Sequence, residues 1–249
     1  MKILVTVKRV TDPDAKIKVR ADGTGIETEG IEYKVNPFDE NGVEAAVTLK
    51  EANGGEVVVL SIGTEDSIAS MRSALAIGAD RGILVLAKDE ELDSDLTAQL
   101  IAKVAQKEEP DLIITGKQAV DGDSGQVGQA VAEYMGLPQA CFASKIDVQD
   151  GKIVVKREVD GGIETLEIGL PAVITADLRL NVPRLPKLPN ILKAKRKKIE
   201  QLTPDDLGVK MDLKVETLKF EASPQRKSGE FVKTVDELIE KLHNEAKVI

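Results

Sequence analysis

Cysteine, histidine and tryptophan are almost missing from this chain. Its 249 residues include one Cys, one His and no Trp. The lone Cys141 excludes an internal disulfide and any multi-cysteine metal cluster. With only His243 as an imidazole, histidine-based metal sites and most His-dependent triads are excluded too. Four Phe and two Tyr leave little for an aromatic pocket, so a flat ligand would lean on aliphatic side chains or on another protein. No apolar run approaches the roughly 20 residues that span a bilayer. The opening MKILVTVKRV lacks the apolar core and cleavage site of a signal peptide, so no direct membrane insertion is expected. Positive charge is in deficit, with 34 Lys+Arg against 43 Asp+Glu and a net charge of −9. That balance argues against nucleic acid as a partner. The 42% hydrophobic content suffices for a real core, and the length suits one large α/β domain with an extension or two domains.

Up to residue 176, strand-like and helix-like stretches alternate. Residues 1–10, 57–61 (VVVLS), 82–87 (GILVLA) and 111–115 (DLIIT) are short aliphatic runs of the buried-strand kind. Between them lie amphipathic helices. Asn36 and Pro37 suit an N-cap and a first helical position, Val43, Ala46 and Val47 share a face, and Gly54-Gly55 stops that helix. Thr64 is expected to open a second, with Ile68, Met71 and Leu75 inward and Gly78 as its end. Asp93 or Ser94 opens a third, with Leu96, Leu100 and Val104. This order predicts βαβ units, a largely parallel sheet and helices on both faces. Three strand-like runs follow Pro138, at 139–148, 152–159 and 163–168. Asp150-Gly151 and Asp160-Gly161-Gly162 separate them as hairpin turns, and PAVITA (171–176) returns as a buried strand. Beyond Asp177 the alternation is expected to stop. Pro183, Pro186 and Pro189 predict an extended loop rather than helix or central strand, and a basic run follows (Lys193, Lys195, Arg196, Lys197, Lys198). A terminal helix starts at the T-x-x-E box of Thr234 and Glu237, with Val235, Leu238, Ile239 and Leu242 as its apolar stripe.

The strongest chemical signal is DLIITGKQAVDGDSGQVGQA (111–130). A buried strand ends at Thr115-Gly116, and a polar, Gly-bearing loop leads into a helix expected near Asp123 or Ser124. In an open parallel sheet, ligands sit at the carboxyl ends of the strands, where a helix N-terminus offers free N–H groups to a phosphate. Gly125 and Gly128 would let an anion approach the backbone, and Ser124 and Gln126 add side-chain donors. The spacing is neither G-x-G-x-x-G nor Walker A, and taken alone a polar βα loop is more often just a loop. Asp121 and Asp123 suit a bare phosphate poorly unless they cap the helix or meet a ribose. Thr6 and Ile62 fall near strand ends, and Asn-Pro-Phe at 36–38 reads first as a plain helix start. Paired acids such as Asp12 and Asp14, or Asp205 and Asp206, read as solvated faces. Cys141 reads as a buried structural thiol and His243 as a surface residue. No nucleophile–base–acid set can be assembled, which tells against a hydrolase or transferase. The segment RLPKLPNIL (184–192) sets Leu185, Leu188, Ile191 and Leu192 beside Arg and Lys. It is either a stiffened docking patch or an arm packed on its own domain.

PAVITADLRLNVPRLPKLPNILKAKRKKIE (171–200) resembles the signature segment of the electron transfer flavoprotein beta subunit family. LVTVKRV, VNPFDENGVEAAVTLKE, ALAIGADRGI, GKQAVDGDSGQVGQ and GGIETLEIGLPAV also fall where that family has them, so the resemblance spans essentially the whole chain. It implies a Rossmann-like α/β fold of the adenine-nucleotide alpha-hydrolase type, with an added β-hairpin region and an extended C-terminal arm ending in a helix. The implied division is a nucleotide-binding domain at 1–176 and, at 177–249, a recognition loop and an arm docking on a partner subunit. The resemblance further implies a heterodimer with an alpha subunit that holds most of the FAD site. Electrons come from acyl-CoA and related dehydrogenases and leave to a quinone oxidoreductase, and the beta subunit is a carrier component without a catalytic site of its own.

Carried over by motif, structural AMP is expected at Thr6, at Asn36, Pro37, Phe38 and Asp39, and at Ile62. The remaining AMP positions are Ala119, Val120, Asp121, Gly122, Asp123 and Ser124, then Gly125, Gln126, Val127, Gly128, Gln129 and Ala130. Phe38 matches an aromatic that approaches the flavin from the beta side. Pro13 stands where some members have a second such aromatic, a Tyr. Leu188 matches the anchor that enters the dehydrogenase, flanked by Leu185, Ile191 and Lys193. Lys193 matches a lysine that some relatives methylate, and Arg196 stands at the second such position. The implied location is the bacterial cytoplasm, or the mitochondrial matrix in a eukaryote. Two alternatives stand beside this reading. One is a bifurcating member with a second FAD in place of AMP. The other is a stand-alone nucleotide-binding sensor domain of the same fold, which would leave residues 177–249 unexplained.

Overall fold

The structure is a computed structural model that describes every residue except 150, 226 and 227. Its centre is a nine-stranded sheet whose strands run mainly parallel. In chain order these are β1 (Lys2–Thr6), β4 (Glu56–Gly63), β5 (Arg81–Leu86), β6 (Leu112–Gly116), β7 (Gln139–Gln149), β8 (Lys152–Val159), β9 (Gly162–Gly169), β10 (Ala172–Ala176) and β11 (Ile199–Leu202). Their spatial order is β11-β5-β4-β1-β6-β10-β7-β8-β9. All pairs are parallel except the β7-β8-β9 meander at one edge. This is the α/β, largely parallel architecture expected from the alternation, and it agrees with the Rossmann-like fold that the family resemblance implies.

The central strands are buried on both faces, which is why they read as unbroken aliphatic runs. Ile3, Val5, Val57, Val59 and Ile114 meet helices α1 (Pro37–Asn53) and α2 (Ser67–Ile77) on one side. Leu4, Val58, Leu60, Ile113 and Val173 meet α3 (Ser94–Glu108) and α4 (Val127–Met135) on the other. Gly54 and Gly78 end α1 and α2 with positive φ, as anticipated. Asp93 caps α3 by accepting from the Leu96 N–H at 2.8 Å.

Several boundaries differ from the sequence expectations. The run at 1–10 is two strands. After Val7, whose N–H donates to the Leu60 carbonyl at 2.8 Å, the chain leaves the sheet, and β2 (Arg9–Thr11) pairs antiparallel with β3 (Tyr33–Val35). Helix α2 starts at Ser67 rather than Thr64, after a turn closed by the Ser67 N–H and the Thr64 carbonyl. Helix α4 starts at Val127 rather than near Asp123, because Asp123 (φ 49°) and Gly125 (φ 59°) are left-handed and interrupt any helical run. The alternation also resumes beyond Asp177. Leu188–Ala194 forms a seven-residue helix, α5, and β11 adds a parallel strand beside β5. Pro189 does not prevent α5 because it sits in the first turn, where a missing N–H removes no intrahelical bond. The second hairpin turn forms as expected but is two residues, Asp160-Gly161, with Gly162 already in β9; Asp150 lies outside the described residues, and the adjoining Gly151 has φ 76°.

Contacts divide the chain into one unit of residues 1–16 and 28–217 and a smaller one of residues 17–27 and 218–249. Within the smaller unit, Val19 and Ile26 form a β-bridge and the Phe220 N–H donates to the Gly23 carbonyl. Its helix α6 (Val235–Lys241) is capped by Thr234, which accepts from the Glu237 N–H at 3.2 Å. Among the described residues, no helix is long and apolar enough to cross a membrane.

Candidate functional site

Strand order reverses beside β1. The chain builds outward through β4 and β5 on one side, then crosses to β6 on the other. Splayed connections at such a switch point leave a crevice at the carboxyl ends of the strands. A cavity of about 310 Å³ lies there, near the lower end of the range of about 300–1,000 Å³ for small-molecule sites. Its lining includes Thr6, Val7 and Lys8 at the exit of β1, Leu60 and Ile62 on β4, and Thr115 to Gln118 at the exit of β6.

The first turn of α1 ties these exits together. Asn36 occupies the N-cap backbone position but makes no side-chain cap. Pro37 at the first helical position leaves one fewer N–H needing a partner, and the buried Asn36 amide reaches across instead. Its Nδ2 donates to the Gln118 carbonyl at 2.8 Å, and its Oδ1 accepts from the Val120 N–H at 3.2 Å. Asp39, 4% exposed, accepts from the Lys8 N–H at 2.7 Å and the Gly116 N–H at 3.0 Å. Burial pushes its carboxyl up to about 7, against the opposing pull of these donors. A Cβ on Gly116 would lie 2.4 Å from Asp39 Oδ1, so the close approach requires glycine there. These residues shape the loop at 117–126 and hold it over the cavity.

That loop resolves the difficulty of its acids. Asp121 is paired with the Lys8 ammonium at 2.7 Å. Asp123 accepts from Gln118 Nε2 at 2.8 Å. Each carboxylate thus has a local partner. Helix α4 begins below; its first bond runs from the Ala130 N–H to the Gln126 carbonyl at 3.0 Å, so the N–H groups of Val127, Gly128 and Gln129 have no partner within the helix, the arrangement that suits an anion. Gly128 lets the helix start lie against the sheet, because a Cβ there would fall 2.4 Å from Thr175 Cγ2 and 2.7 Å from Thr115 Oγ1.

Of the residues expected at a nucleotide, the cavity brings together Thr6, Asn36, Asp39, Ile62, Ala119, Asp121, Gly122, Ser124, Gly125, Gln126 and Val127. Pro37, Phe38, Val120, Asp123, Gly128, Gln129 and Ala130 are not part of its lining. Phe38 is only 7% exposed, so little of its ring is open to a neighbour. Sequence reasoning missed the far wall, formed by Leu92, Asp93, Ser94, Thr97 and Ile101 around the start of α3. Ser94 and Ser124 hydroxyls meet at 3.2 Å. The available signal was the Asp93 cap itself: a helix following β5 must also start at the carboxyl end of the sheet.

Aliphatic side chains of Leu60, Ile62, Leu92 and Ile101, opposite N–H groups, hydroxyls and two lysines, Lys8 and Lys117, can enclose a flat base and hold an anion. Elsewhere, Cys141 is buried, and burial pushes its thiol up, away from the reactive thiolate. The adjoining Phe142 is left-handed at φ 64°, a bulge in β7 held by donation of its N–H to Thr175 Oγ1 at 2.8 Å. On the 184–194 segment, Leu185 is 90% exposed and Leu188 69%. Ile191 and Lys193 are exposed as well.

The electron transfer flavoprotein domain matches residues 24–207. An electron transfer flavoprotein subunit beta of Bradyrhizobium diazoefficiens is 48% identical over the full length of both chains. The mitochondrial subunit beta of Arabidopsis thaliana is 50% identical over all of both chains. The human subunit beta is 48% identical over 97% of this chain and 96% of its own. The chain therefore belongs to the electron transfer flavoprotein beta subunit family.

Proposed function

We propose that this chain pairs with an electron transfer flavoprotein alpha subunit and serves as the scaffold half of an electron carrier, without a catalytic site of its own. In this reading electrons arrive from acyl-CoA and related dehydrogenases and leave to a quinone oxidoreductase. FAD, held mainly by the alpha subunit, supplies the redox chemistry when bound. The compartment would be the bacterial cytoplasm, or the mitochondrial matrix in a eukaryote.

The cavity at the switch point carries the assignment of AMP to this chain. Its volume suits a mononucleotide, and a flavin dinucleotide has more than twice the atoms, which favours AMP over a second FAD. The base would rest against Leu60, Ile62 and Leu92. The phosphate would take the free N–H groups of α4, with Ser94 and Ser124 beside it. Lys8 neutralises Asp121 and so removes a repulsion that a phosphate would otherwise meet. A ligand that binds only the folded state stabilises it by RT ln(1 + [L]/Kd), about 2.7 kcal/mol at one hundred times Kd. Such a ligand would hold together the exits of β1 and β6.

Residues 177–249 would supply the contacts to other proteins: α5 with its exposed leucines to the dehydrogenase, and the terminal arm to the alpha subunit. Purification of the co-expressed heterodimer tests the reading. Released nucleotides identified by mass should be one FAD and one AMP per heterodimer, and the chain expressed alone should show no flavin absorbance. Two FAD per heterodimer would replace it with the bifurcating alternative. A homodimer that binds ATP without flavin would replace it with the sensor alternative.

A further inference from the structure

Residues 178–198 are fastened to the body of the fold at two places, and the exposed leucines lie between them. At the first, Arg184 closes on α1. Its Nε donates to both Glu44 oxygens, at 3.0 and 2.9 Å. Its two terminal nitrogens reach Glu51 at 2.6 and 2.9 Å, and its backbone N–H donates to Glu44 at 3.1 Å. One turn before, Asn41 Nδ2 donates to the Asn181 carbonyl at 2.7 Å and Asn181 Nδ2 donates back to the Asn41 carbonyl at 2.9 Å. Glu44 and Asn41 are both buried, so these are fixed sockets. At the second place, Arg72 on α2 donates to the Ala194 and Lys197 carbonyls at 2.7 and 2.6 Å. Lys197 in turn donates to the Leu75 and Ala79 carbonyls, at the end of α2.

An isolated helix of seven residues is far below the roughly 12–15 needed for stability in water, and α5 buries only Ala194. Its form therefore depends on the fastenings. Pro183, Pro186 and Pro189 add stiffness between them. Order established before an encounter lowers the entropy lost on association. We propose that Arg184 and Arg72 are positioning residues, which hold α5 in the pose that a dehydrogenase docks against. This rests on the reading of α5 as the docking element. Lysine is a poor substitute for Arg184, because one ammonium cannot reproduce a planar fork shared by two carboxylates.

The test uses the FAD- and AMP-loaded heterodimer as electron acceptor for an acyl-CoA dehydrogenase at saturating acyl-CoA. Arg184→Gln and, independently, Arg72→Gln should raise the KM for the heterodimer on the order of tenfold. The kcat, the flavin spectrum and the AMP:FAD ratio should be unchanged. Arg184→Lys should recover only part of the loss. Tryptic cleavage at Lys187 and Lys193 in the free heterodimer should quicken in both Gln variants but not in Leu188→Ala. If Leu188→Ala raises KM while both Gln variants leave it at the wild-type value, the positioning proposal fails and the docking reading stands. If Leu188→Ala also leaves KM unchanged, the docking reading fails and the proposal with it. A raised KM without faster cleavage would mean that the arginines touch the dehydrogenase directly, and would overturn the positioning role.

Discussion

Gly128 offers a quantitative test of how the proposed phosphate site is built. Replacing it with Ala puts a methyl 2.4 Å from Thr175 Cγ2 and 2.7 Å from Thr115 Oγ1. Neither neighbour yields easily. Thr175 is fully buried, and its rotamer is held by the Phe142 N–H at 2.8 Å. Thr115 is 3% exposed in the adjacent strand. Overpacking of this kind costs about 1–3 kcal/mol, and a site that cannot relax belongs at the upper end. Gly128 is helical, without a positive φ, so Ala also gains about 1 kcal/mol of helix propensity. The net expectation is a loss of about 2 kcal/mol, or roughly 4–8 °C in Tm for a chain of this size.

The same methyl pushes the start of α4 away from β6 and β10, withdrawing N–H groups from the cavity. Gly128→Ala should therefore also bind AMP more weakly and gain less Tm than wild type when AMP is added. Gly169 provides the control, since it lies outside the cavity lining, a Cβ there meets nothing within 4 Å and its φ is not positive. Thermal denaturation of the nucleotide-stripped heterodimer, followed by titration with AMP, reads both effects. If Gly128→Ala matched Gly169→Ala in Tm and in AMP affinity, the close helix–sheet approach would be wrong as an account of the site.

Asp39 carries a pH signature. Burial raises its folded value to about 7, against about 3.9 in an unfolded chain. Folding then binds a proton between those values, so the contribution is fully present below about pH 4 and declines as the pH rises to 7. Urea unfolding of wild type and Asp39→Asn from pH 4 to 8 should show wild type losing its relative advantage over that window. A pH-independent difference would contradict the burial argument. Lys8→Ala should weaken AMP binding by about three- to tenfold, since it leaves Asp121 unpaired beside the phosphate, and Asp121→Asn in the same chain should restore much of it. Isothermal titration of the single and double variants checks this, and additive effects would show that the two side chains do not act as a pair.

The legible part of the fold was the part that local pattern controls. Aliphatic runs marked the central strands, and Gly54 and Gly78 marked helix ends, because burial and backbone chirality act within a few residues. Errors appeared where distant contacts override local preference. Asn36 has the residue type of an N-cap, yet its amide serves the 117–126 loop, more than eighty positions away. Asp123 was a reasonable start for α4, but the left-handed turn through Gly125 delays the helix to Val127. Pro189 suggested a loop because its position within a first turn depends on where the helix begins, and the clamps at Arg184 and Arg72 that bracket that helix engage residues far away in sequence. The far wall of the cavity, at Ser94 and Thr97, depends on strand order, which no local pattern contains.

Helix α1 links the two regions proposed to meet other molecules. Its first turn forms the floor of the cavity through Asn36 and Asp39, and its later turns hold the docking segment through Asn41, Glu44 and Glu51. Seventeen residues make a rod about 25 Å long, and a rod can act as a lever or as a fixed post. Packing decides for the post. At Gly42 the helix comes so near the sheet that a Cβ would lie 3.3 Å from Ile114 Cγ2 and 3.6 Å from Val5 Cγ2. Val43, Ala46 and Val47 are buried beside it. Moving α1 enough to carry Glu44 would require repacking against β1 and β6, the strands that a bound nucleotide would hold most firmly. Occupancy of the cavity by a nucleotide would therefore steady the post on which Arg184 closes, and would give it no means to swing α5, the helix proposed to dock.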